Sequence, residues 1–452
     1  MKTISIKEIL ESPQHFTEEI SLVGWIKSNR DSGKIGFIEM NDGSDIENMQ
    51  IVYKQGTTKG FDEIKSARTG SAILVVGKIQ SSSKAEQKHE IIASDLKILK
   101  QACEEYPLQK KQHTLEFLRD NAHLRARTST ISAIMNVRSR LAFDIHKFFQ
   151  DNGFLWVAAP IITSNDAEGA GENFNLELDS DKPFFDKKAK LTVSGQLNAE
   201  AYAQAFRQVY TFGPTFRAER SHTNRHMSEF WMIEPEIAFI DLKQLMLIIE
   251  TFIKNVVKQT LNHCAKEINF FAKNKPAIKE RLEALVKNDF QRLEYAKAIE
   301  ILQAAVASGH KFEDSEIFFG KDLASEHERY ICEQKFNAPV FLFNYPKEIK
   351  AFYMKLNEDD KTVAACDLLV PGVGEIVGGS QREDDYDKLM KRVAELKIDA
   401  SSIQWYLDLR KYGYYSSAGF GLGFERLIMY MLDLENIRDT IPFPRVEGSL
   451  KF

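Results

Sequence analysis

Long apolar runs, paired cysteines and a charge of one sign are all missing from this 452-residue chain. No window approaches the roughly 20 apolar residues that cross a bilayer, which excludes a helical membrane span. The four cysteines, Cys103, Cys264, Cys332 and Cys366, stand far apart without a CxxC pair, which argues against a zinc knuckle or a disulfide framework. Net charge is only -5, from 60 basic and 65 acidic residues, so a surface for a polyanion has to be local. The opening MKTISIKEILESPQ carries acids early and has no apolar stretch behind a basic start. Neither a secretory signal nor an Arg-rich transit peptide is legible there, and the cytosol is the expected compartment. Internal repeats and low-complexity tracts are absent too.

What is present is a globular composition, 43% hydrophobic and 28% charged, on a chain longer than one core usually serves, so two domains are expected. Residues 1–102 hold five short alternating runs, ISLVGWIKS, KIGFIEMND, NMQIVYK, SAILVVGKI and HEIIASDLKILK, punctuated by RDSG, NDGSD and ARTG turns. That pattern predicts a small barrel, an OB-fold first and an SH3-like barrel as the alternative. Residues 103–128 lose the alternation and become basic, which predicts a linker. From 129 to 452 the expectation is one α+β domain. Ile131, Ile134, Val137, Leu141, Ile145 and Phe148 recur at helical spacing up to Asn152-Gly153, and FLWVAAPIIT follows as a strand with Pro160 near its end. Residues 241–262 predict a long helix, and about 265–335 a charged, helical insertion between strands of a large antiparallel sheet.

Three segments carry candidate chemistry. TFGPTFRAERSHTNRHMSEFWMIEPEIAF, residues 211–239, reads as a hairpin with a basic loop, which places Arg217 at a strand end where its fork can clamp a phosphate. A solvated, charged hairpin tip is the other reading. In FGLGFERL, Gly419, Gly421 and Gly423 alternate on a strand that runs into a helix bearing Arg426. The spacing is not that of a dinucleotide GxGxxG; it bares one sheet face, against which a flat base can lie, or else it marks a weakened strand under a helix. CDLLVPGVGEIVGGSQRE sets Asp367 and Glu375 on either side of a turn ahead of Arg382, and two carboxylates beside arginines suit magnesium bridging phosphates.

Taken together, these segments resemble the class II aminoacyl-tRNA synthetases of the aspartate, asparagine and lysine subgroup, over nearly the whole chain. RSRLAFDIHKFFQDNGFLWVAAPIIT resembles motif 1 with its interface Pro160, TFGPTFRAERSHTNRH with EFWMIEPEIAF motif 2, and GFGLGFERL motif 3; IRDTIPFPR near the C-terminus also matches the subgroup. The resemblance implies an N-terminal OB-fold that binds the anticodon, with Phe37 as stacking aromatic and Gln50 as base-reading amide. For Phe37, a side chain turned into the barrel is the competing placement. The resemblance further implies a class II catalytic domain whose substrate ATP meets Arg217 at the α-phosphate, Phe230 and Glu219 at adenine, and Arg426 and His226 at the γ-phosphate. Asp367 and Glu375 are implied as Mg2+ ligands. Glu168, Ser194 and Gln196 are implied to meet the amino acid. A homodimer is implied by motif 1.

Within the subgroup, aspartate enzymes carry a lysine three residues after the glutamine of the QL segment, and here that position is Ala199. Without that cation the implied pocket keeps Arg382 as donor and Glu234 as acceptor, a pair that matches a carboxamide and repels a second carboxylate. L-Asparagine and tRNA(Asn) are therefore the expected substrates, with an aspartyl enzyme charging one or both tRNAs as the alternative. A stand-alone asparagine synthetase would have no need of the barrel, and a dead RNA-binding paralogue no need of Arg217, Glu375 and Arg426.

Overall fold

Period-two alternation in the first hundred residues closes into a barrel in the computed structural model, which describes residues 3–82, 89–165, 173–177, 184–220 and 223–452. Its strands are β1 (Ile20–Asp31), β2 (Ile35–Asn41), β3 (Met49–Lys54), β4 (Ala72–Ser81) and β5 (His89–Lys100), joined in the closed order β1-β2-β3-β5-β4. The β3–β5 pairing is parallel and the others antiparallel, the OB-fold arrangement, which decides against the SH3-like alternative. Leu22, Ile38, Met40, Ile51, Ile73, Val75 and Ile91 point inward and are fully buried. Alternate residues therefore face out. Gly36 is required where it stands, because a Cβ there would collide with the ring of Tyr53, whose hydroxyl donates to Asn29 at 2.9 Å.

The chain divides into two units, Met1–Ala133 and Ile134–Phe452. The segment read as a linker carries two short helices, Leu115–Asp120, capped by Thr114, and Ala122–Arg125. The predicted amphipathic helix is α1 (Ser129–Asp151), and Gly153 takes the positive φ that ends it.

In the second unit an eight-stranded sheet has the order β9-β10-β11-β12-β13-β8-β7-β6, with β6 (Leu155–Trp156), β7 (Gln208–Phe216), β8 (Glu229–Ala238), β9 (Gln291–Glu294), β10 (Val340–Pro346), β11 (Thr362–Val370), β12 (Gly374–Gln381) and β13 (Ser417–Gly423). The interior is antiparallel as expected, but both edges differ, because β9 runs parallel to β10 and β6 parallel to β7. FLWVAAPIIT is not one strand. Leu155–Trp156 joins the large sheet and Ile162–Thr163 a separate three-stranded one, with Pro160, which has no N–H for a ladder, between them. The 265–335 stretch is not purely helical, since it supplies β9. Helix α2 (Gln196–Phe206) packs on β7 and β8, and α3 (Leu242–His263), capped by a reciprocal Asp241–Gln244 box, packs on the sheet's interior strands. Phe149 of α1, Phe252 of α3 and Phe420 of β13 stack in series, with ring centres 4.8 and 5.9 Å apart. That aromatic layer fixes α1 and α3 behind the sheet, while on the other face α2 covers part of β7 and β8 and leaves a free strip beside it.

Candidate active site

The free strip is built by period two. Phe230, Met232, Glu234 and Glu236 alternate along β8, and β13 lies beside it in a register that pairs Met232 with Gly423 and Glu236 with Gly419. The glycines are needed for that proximity. A Cβ on Gly421 would lie 2.7 Å from Met232 Cε, and one on Gly419 would collide with the Glu236 carboxylate. The bare strip read from the sequence is thus split in function: Gly421 and Gly423 line the cavity, while Gly419 makes room for Glu236.

Over this face lies a cavity of about 710 Å³. Of the residues expected from the sequence, Ser194, Gln196, Arg217, Glu219, His226, Phe230, Glu234, Asp367, Glu375 and Arg426 all line it. Arg382 does not. Glu168 lies outside the described residues, and Phe37 and Gln50 belong to the first unit.

One end of the cavity is cationic and partly open. Arg217 follows the last residue of β7, where its N–H donates to the Ser228 carbonyl at 3.0 Å. Its guanidinium stands 5.4 Å from the Phe230 ring centre and 4.0 Å from Glu219. Arg426, on the first turn of α5 (Phe424–Leu432; α4 is Ser325–Arg329), donates to the Glu375 carbonyl at 3.2 Å. His226 Nδ1 lies 2.5 Å from the Thr223 hydroxyl, and burial together with the positive charge of Arg426 holds the imidazole below its ordinary pKa, so it is neutral at pH 7.

Asp367 on β11 and Glu375 on β12 converge over Gly378, where a Cβ would lie 3.2 Å from Glu375 Oε1 and 3.4 Å from Asp367 Oδ1. A side chain at 378 would fill the cradle that the two carboxylates form. Lys350, which the sequence reading missed, donates to Asp367 at 2.5 Å. Burial would lower the Lys350 ammonium, but the Asp367 and Glu375 carboxylates outweigh it and raise the pKa. Burial also pushes Asp367 above the usual carboxylate range, against the pull of Lys350.

The other end is closed and satisfied. Glu234 is 5% exposed and accepts from the Ser194 hydroxyl (2.5 Å), the Gly195 N–H (3.0 Å) and the Thr211 hydroxyl (2.7 Å). Two of these bonds fall on Oε2 and one on Oε1, which leaves Oε1 with acceptor capacity to spare on a residue that lines the cavity. Gln196 opens α2, and its buried Nε2 has no hydrogen-bond partner among the described residues. An orphaned donor at a cavity wall marks a place for a ligand oxygen. Behind this wall Arg382 is buried, with Nε 3.1 Å from Glu236 Oε2, Nη2 on Oε1, and Nη1 donating to Ser380 at 2.7 Å. Burial pushes Glu236 upward, and this two-point bond opposes it. Ala199 is fully buried among Val157, Ala203 and Val209, and the site offers no lysine there.

Sequence reasoning missed Lys350 and Glu425, which line the cavity, and Arg225, part of the basic loop expected to reach the tRNA acceptor end, lines it too. A lysine directly before the apolar run AFYM was the available signal for Lys350, and a Glu-Arg pair following a glycine strand for Glu425. Glu425 is buried, accepts from Arg138 of α1 at 2.7 Å and from the Trp231 N–H at 3.0 Å, and so ties α1 to the cavity floor. In the first unit Phe37 faces outward between the core residues Gly36 and Ile38, on the same face as Gln50, whose amide donates to Glu90 at 2.7 Å.

Known proteins share this sequence and fold. Residues 114–447 match the family model described as tRNA synthetases class II (D, K and N), and residues 20–99 match the OB-fold nucleic acid binding domain. Among curated proteins, the chain is 56% identical to the asparagine–tRNA ligase of Malacoplasma penetrans over 454 residues, covering 100% of both. It is 55% identical to that of Mycoplasmoides gallisepticum, again over 100% of both. The structure of asparaginyl-tRNA synthetase from Pyrococcus horikoshii complexed with asparaginyl-adenylate superposes with a TM-score of 0.89 at 35% identity, covering 100% of this chain and 99% of that one.

Proposed function

The chain belongs to the class II tRNA synthetases of the aspartate, lysine and asparagine group, and from that premise we propose that it joins L-asparagine to tRNA(Asn) at the expense of ATP. The observation that carries the reading is the convergence in one cavity of Arg217, Phe230 and Arg426 with the buried Glu234.

In the first step the asparagine carboxylate attacks the α-phosphorus, a P–O bond forms, and the bridging P–O bond to pyrophosphate breaks. The nucleophile is already ionised, so no general base is required and catalysis comes from placement and charge. Arg217 holds the α-phosphate, Phe230 stacks on adenine, and Glu219 accepts from the adenine amino group. Arg426 holds the γ-phosphate and neutral His226 donates to it. Asp367 and Glu375, which converge over Gly378, would hold a magnesium ion brought with ATP, and that ion would supply neutralisation of phosphate charge. In the second step the terminal ribose hydroxyl of the tRNA attacks the acyl carbon and AMP leaves.

At the closed end, Glu234 Oε1 accepts from the side-chain amide of asparagine, and Gln196, Ser194 and Glu168 orient its amino-acid head. Arg382 acts from behind, through Glu236. An aspartate side chain would set a second carboxylate against Glu234 in a dry wall, which is the physical ground for preferring asparagine. Residues 1–102 bind the anticodon, with Phe37 stacking and Gln50 reading, and residues 103–128 join them to the catalytic part. A homodimer covers the exposed Leu155, Trp156, Ile161 and Ile162 beside the sheet edge. No described helix is long and apolar enough to cross a membrane, in keeping with a cytoplasmic enzyme. The test is pyrophosphate exchange into ATP with asparagine or aspartate. Exchange supported by asparagine alone upholds the reading, and equal exchange with both would make the chain a non-discriminating or aspartyl enzyme.

A further inference from the structure

The segment 324–335, for which the sequence offered no role, reaches the corner of the cavity that carries Glu375. Helix α4 runs directly into a π-helical stretch at Tyr330–Lys335, and one acid on each accepts from the start of β12 and from the turn before it. Glu328 Oε2 takes the Glu375 N–H at 3.2 Å, and Glu333 Oε1 takes the Gly372 N–H at 2.8 Å. Arg329 grips Glu333 with Nε at 2.8 Å and Nη2 at 3.2 Å. Upstream, the buried His327 fixes the helix start, accepting from the Ala324 N–H at 3.1 Å and donating to the Asp314 carbonyl at 2.8 Å.

Gly374 is shaped to this contact. Its φ is +85°, and a Cβ there would lie 2.6 Å from Glu328 Oε2, so a larger residue would push the carboxylate off the Glu375 amide. From the opposite side Arg426 donates to the Glu375 carbonyl at 3.2 Å. Both backbone polar groups of Glu375 are therefore held, while its side chain stays 38% exposed toward the cavity. Placing a buried carboxylate beside Glu375 and Asp367 is locally unfavourable, and such costs concentrate where function needs them. π-helical turns concentrate there as well.

We propose that Glu328 is a positioning residue for the triphosphate- and cation-binding corner, acting through Glu375, with Glu333 as its second anchor. Segment 324–335 is a clamp that sets where the Glu375 carboxylate stands relative to Asp367 and Arg426. This deepens the reading of the cavity as an ATP site and rests on it.

The test uses the full-length protein and its Glu328→Ala, Glu328→Gln and Glu333→Ala variants. Calorimetry measures ATP binding with and without Mg2+ in the absence of asparagine, and exchange measures turnover. Misplacing a charge-bearing group by about 1 Å costs on the order of 100-fold, so Glu328→Ala is expected to lower exchange by about 30- to 100-fold and to shrink the tightening of ATP by Mg2+ about tenfold. Asparagine affinity should not change. Glu328→Gln, whose amide oxygen accepts the same hydrogen bond, should stay within about threefold of wild type. Wild-type exchange and Mg2+ response in Glu328→Ala overturn the clamp, and so does a Glu328→Gln variant as impaired as Glu328→Ala. If Glu328→Ala does not fold, Glu333→Ala decides: a loss of about fivefold in the same two readouts supports the clamp, and wild-type behaviour makes the segment a structural brace. A wild-type protein that binds no ATP removes the ATP reading, and the clamp falls with it.

Discussion

The two ends of the cavity are made from the same residue types and behave oppositely. At the closed end Glu234 has three donors within 3.0 Å and acceptor capacity to spare on Oε1, and Glu236 is locked to Arg382 behind it. At the open end Arg217, Arg426 and Glu375 are 24%, 28% and 38% exposed, and among the described residues Arg217 stands 4.0 Å from Glu219 and Arg426 3.9 Å from Glu375. The first end is fixed in place before any ligand arrives, with Gln196 Nε2 left for a ligand oxygen. The second is held by its backbone and keeps its charged side chains partly exposed to the cavity, where the proposed function places the phosphates. A small uncharged amide has to be told from a carboxylate, which needs a dry, rigid wall; a triphosphate brings enough charge to order its own ligands.

Breaking the open end should therefore cost turnover without stability. Arg217→Ala is expected to slow asparagine-dependent exchange by about 1000-fold, as loss of one preorganised donor to a developing charge does. Its thermal unfolding should move by no more than about 0.5 kcal/mol, since the side chain is partly solvated. Exchange near the wild-type rate would remove Arg217 from the α-phosphate.

Breaking the closed end should cost both. Glu234→Ala leaves the Ser194, Gly195 and Thr211 donors facing a dry void, at about 1–3 kcal/mol per orphaned group. A loss of about 3 kcal/mol in denaturant unfolding is expected, with asparagine kcat/KM down by about 100-fold. If unfolding is unchanged, that wall is wetter than the geometry implies, and the contrast between the ends weakens.

The contrast also marks what the sequence could show. The hairpin, the glycine strand and the long helices were legible because each is set by spacing within one segment: Thr211 faces Glu234 across a turn, and Gly419, Gly421 and Gly423 share a face by period two. Lys350 was not legible, because it meets Asp367 only through the pairing of β10 with β11 and the return of the chain after β10. Strand β9 was hidden inside a helical stretch because four residues, QRLE, carry no periodicity, and the parallel pairing with β10 alone makes them a strand. The placement of Arg382 behind the wall was likewise invisible, since its partner Glu236 is 146 positions away.

Lys350 offers an intermediate case, a buried pair at the open end. Lys350→Met leaves the buried Asp367 beside Glu375 without its cation, where removing one partner of a buried pair costs about 3 kcal/mol. Asp367 would then take up a proton at higher pH than it does now, because the ammonium is what holds its burial-raised pKa in check. Stability of the variant should therefore decline as pH rises through that value, whereas in the wild type Lys350 offsets the burial of the ionised carboxylate. Urea unfolding between pH 5 and 9 reads this, and a flat difference across the range would mean that Asp367 is hydrated rather than paired.

The smallest effect belongs to the barrel and isolates it from both ends. Phe37 is an outward aromatic on β2, so Phe37→Ala removes one stacking face without opening the core, where Ile38 and Met40 do the packing. Stacking of a base is worth about 1–3 kcal/mol, so the KM for tRNA(Asn) in aminoacylation should rise by about 5- to 100-fold. Exchange of pyrophosphate, which needs no tRNA, should be unaltered in rate and in its preference for asparagine. That pair of measurements separates a reading surface from a chemical one: a fall in exchange would show that Phe37 supports the fold, and an unchanged KM would show that the stacking aromatic is another residue of the outer face.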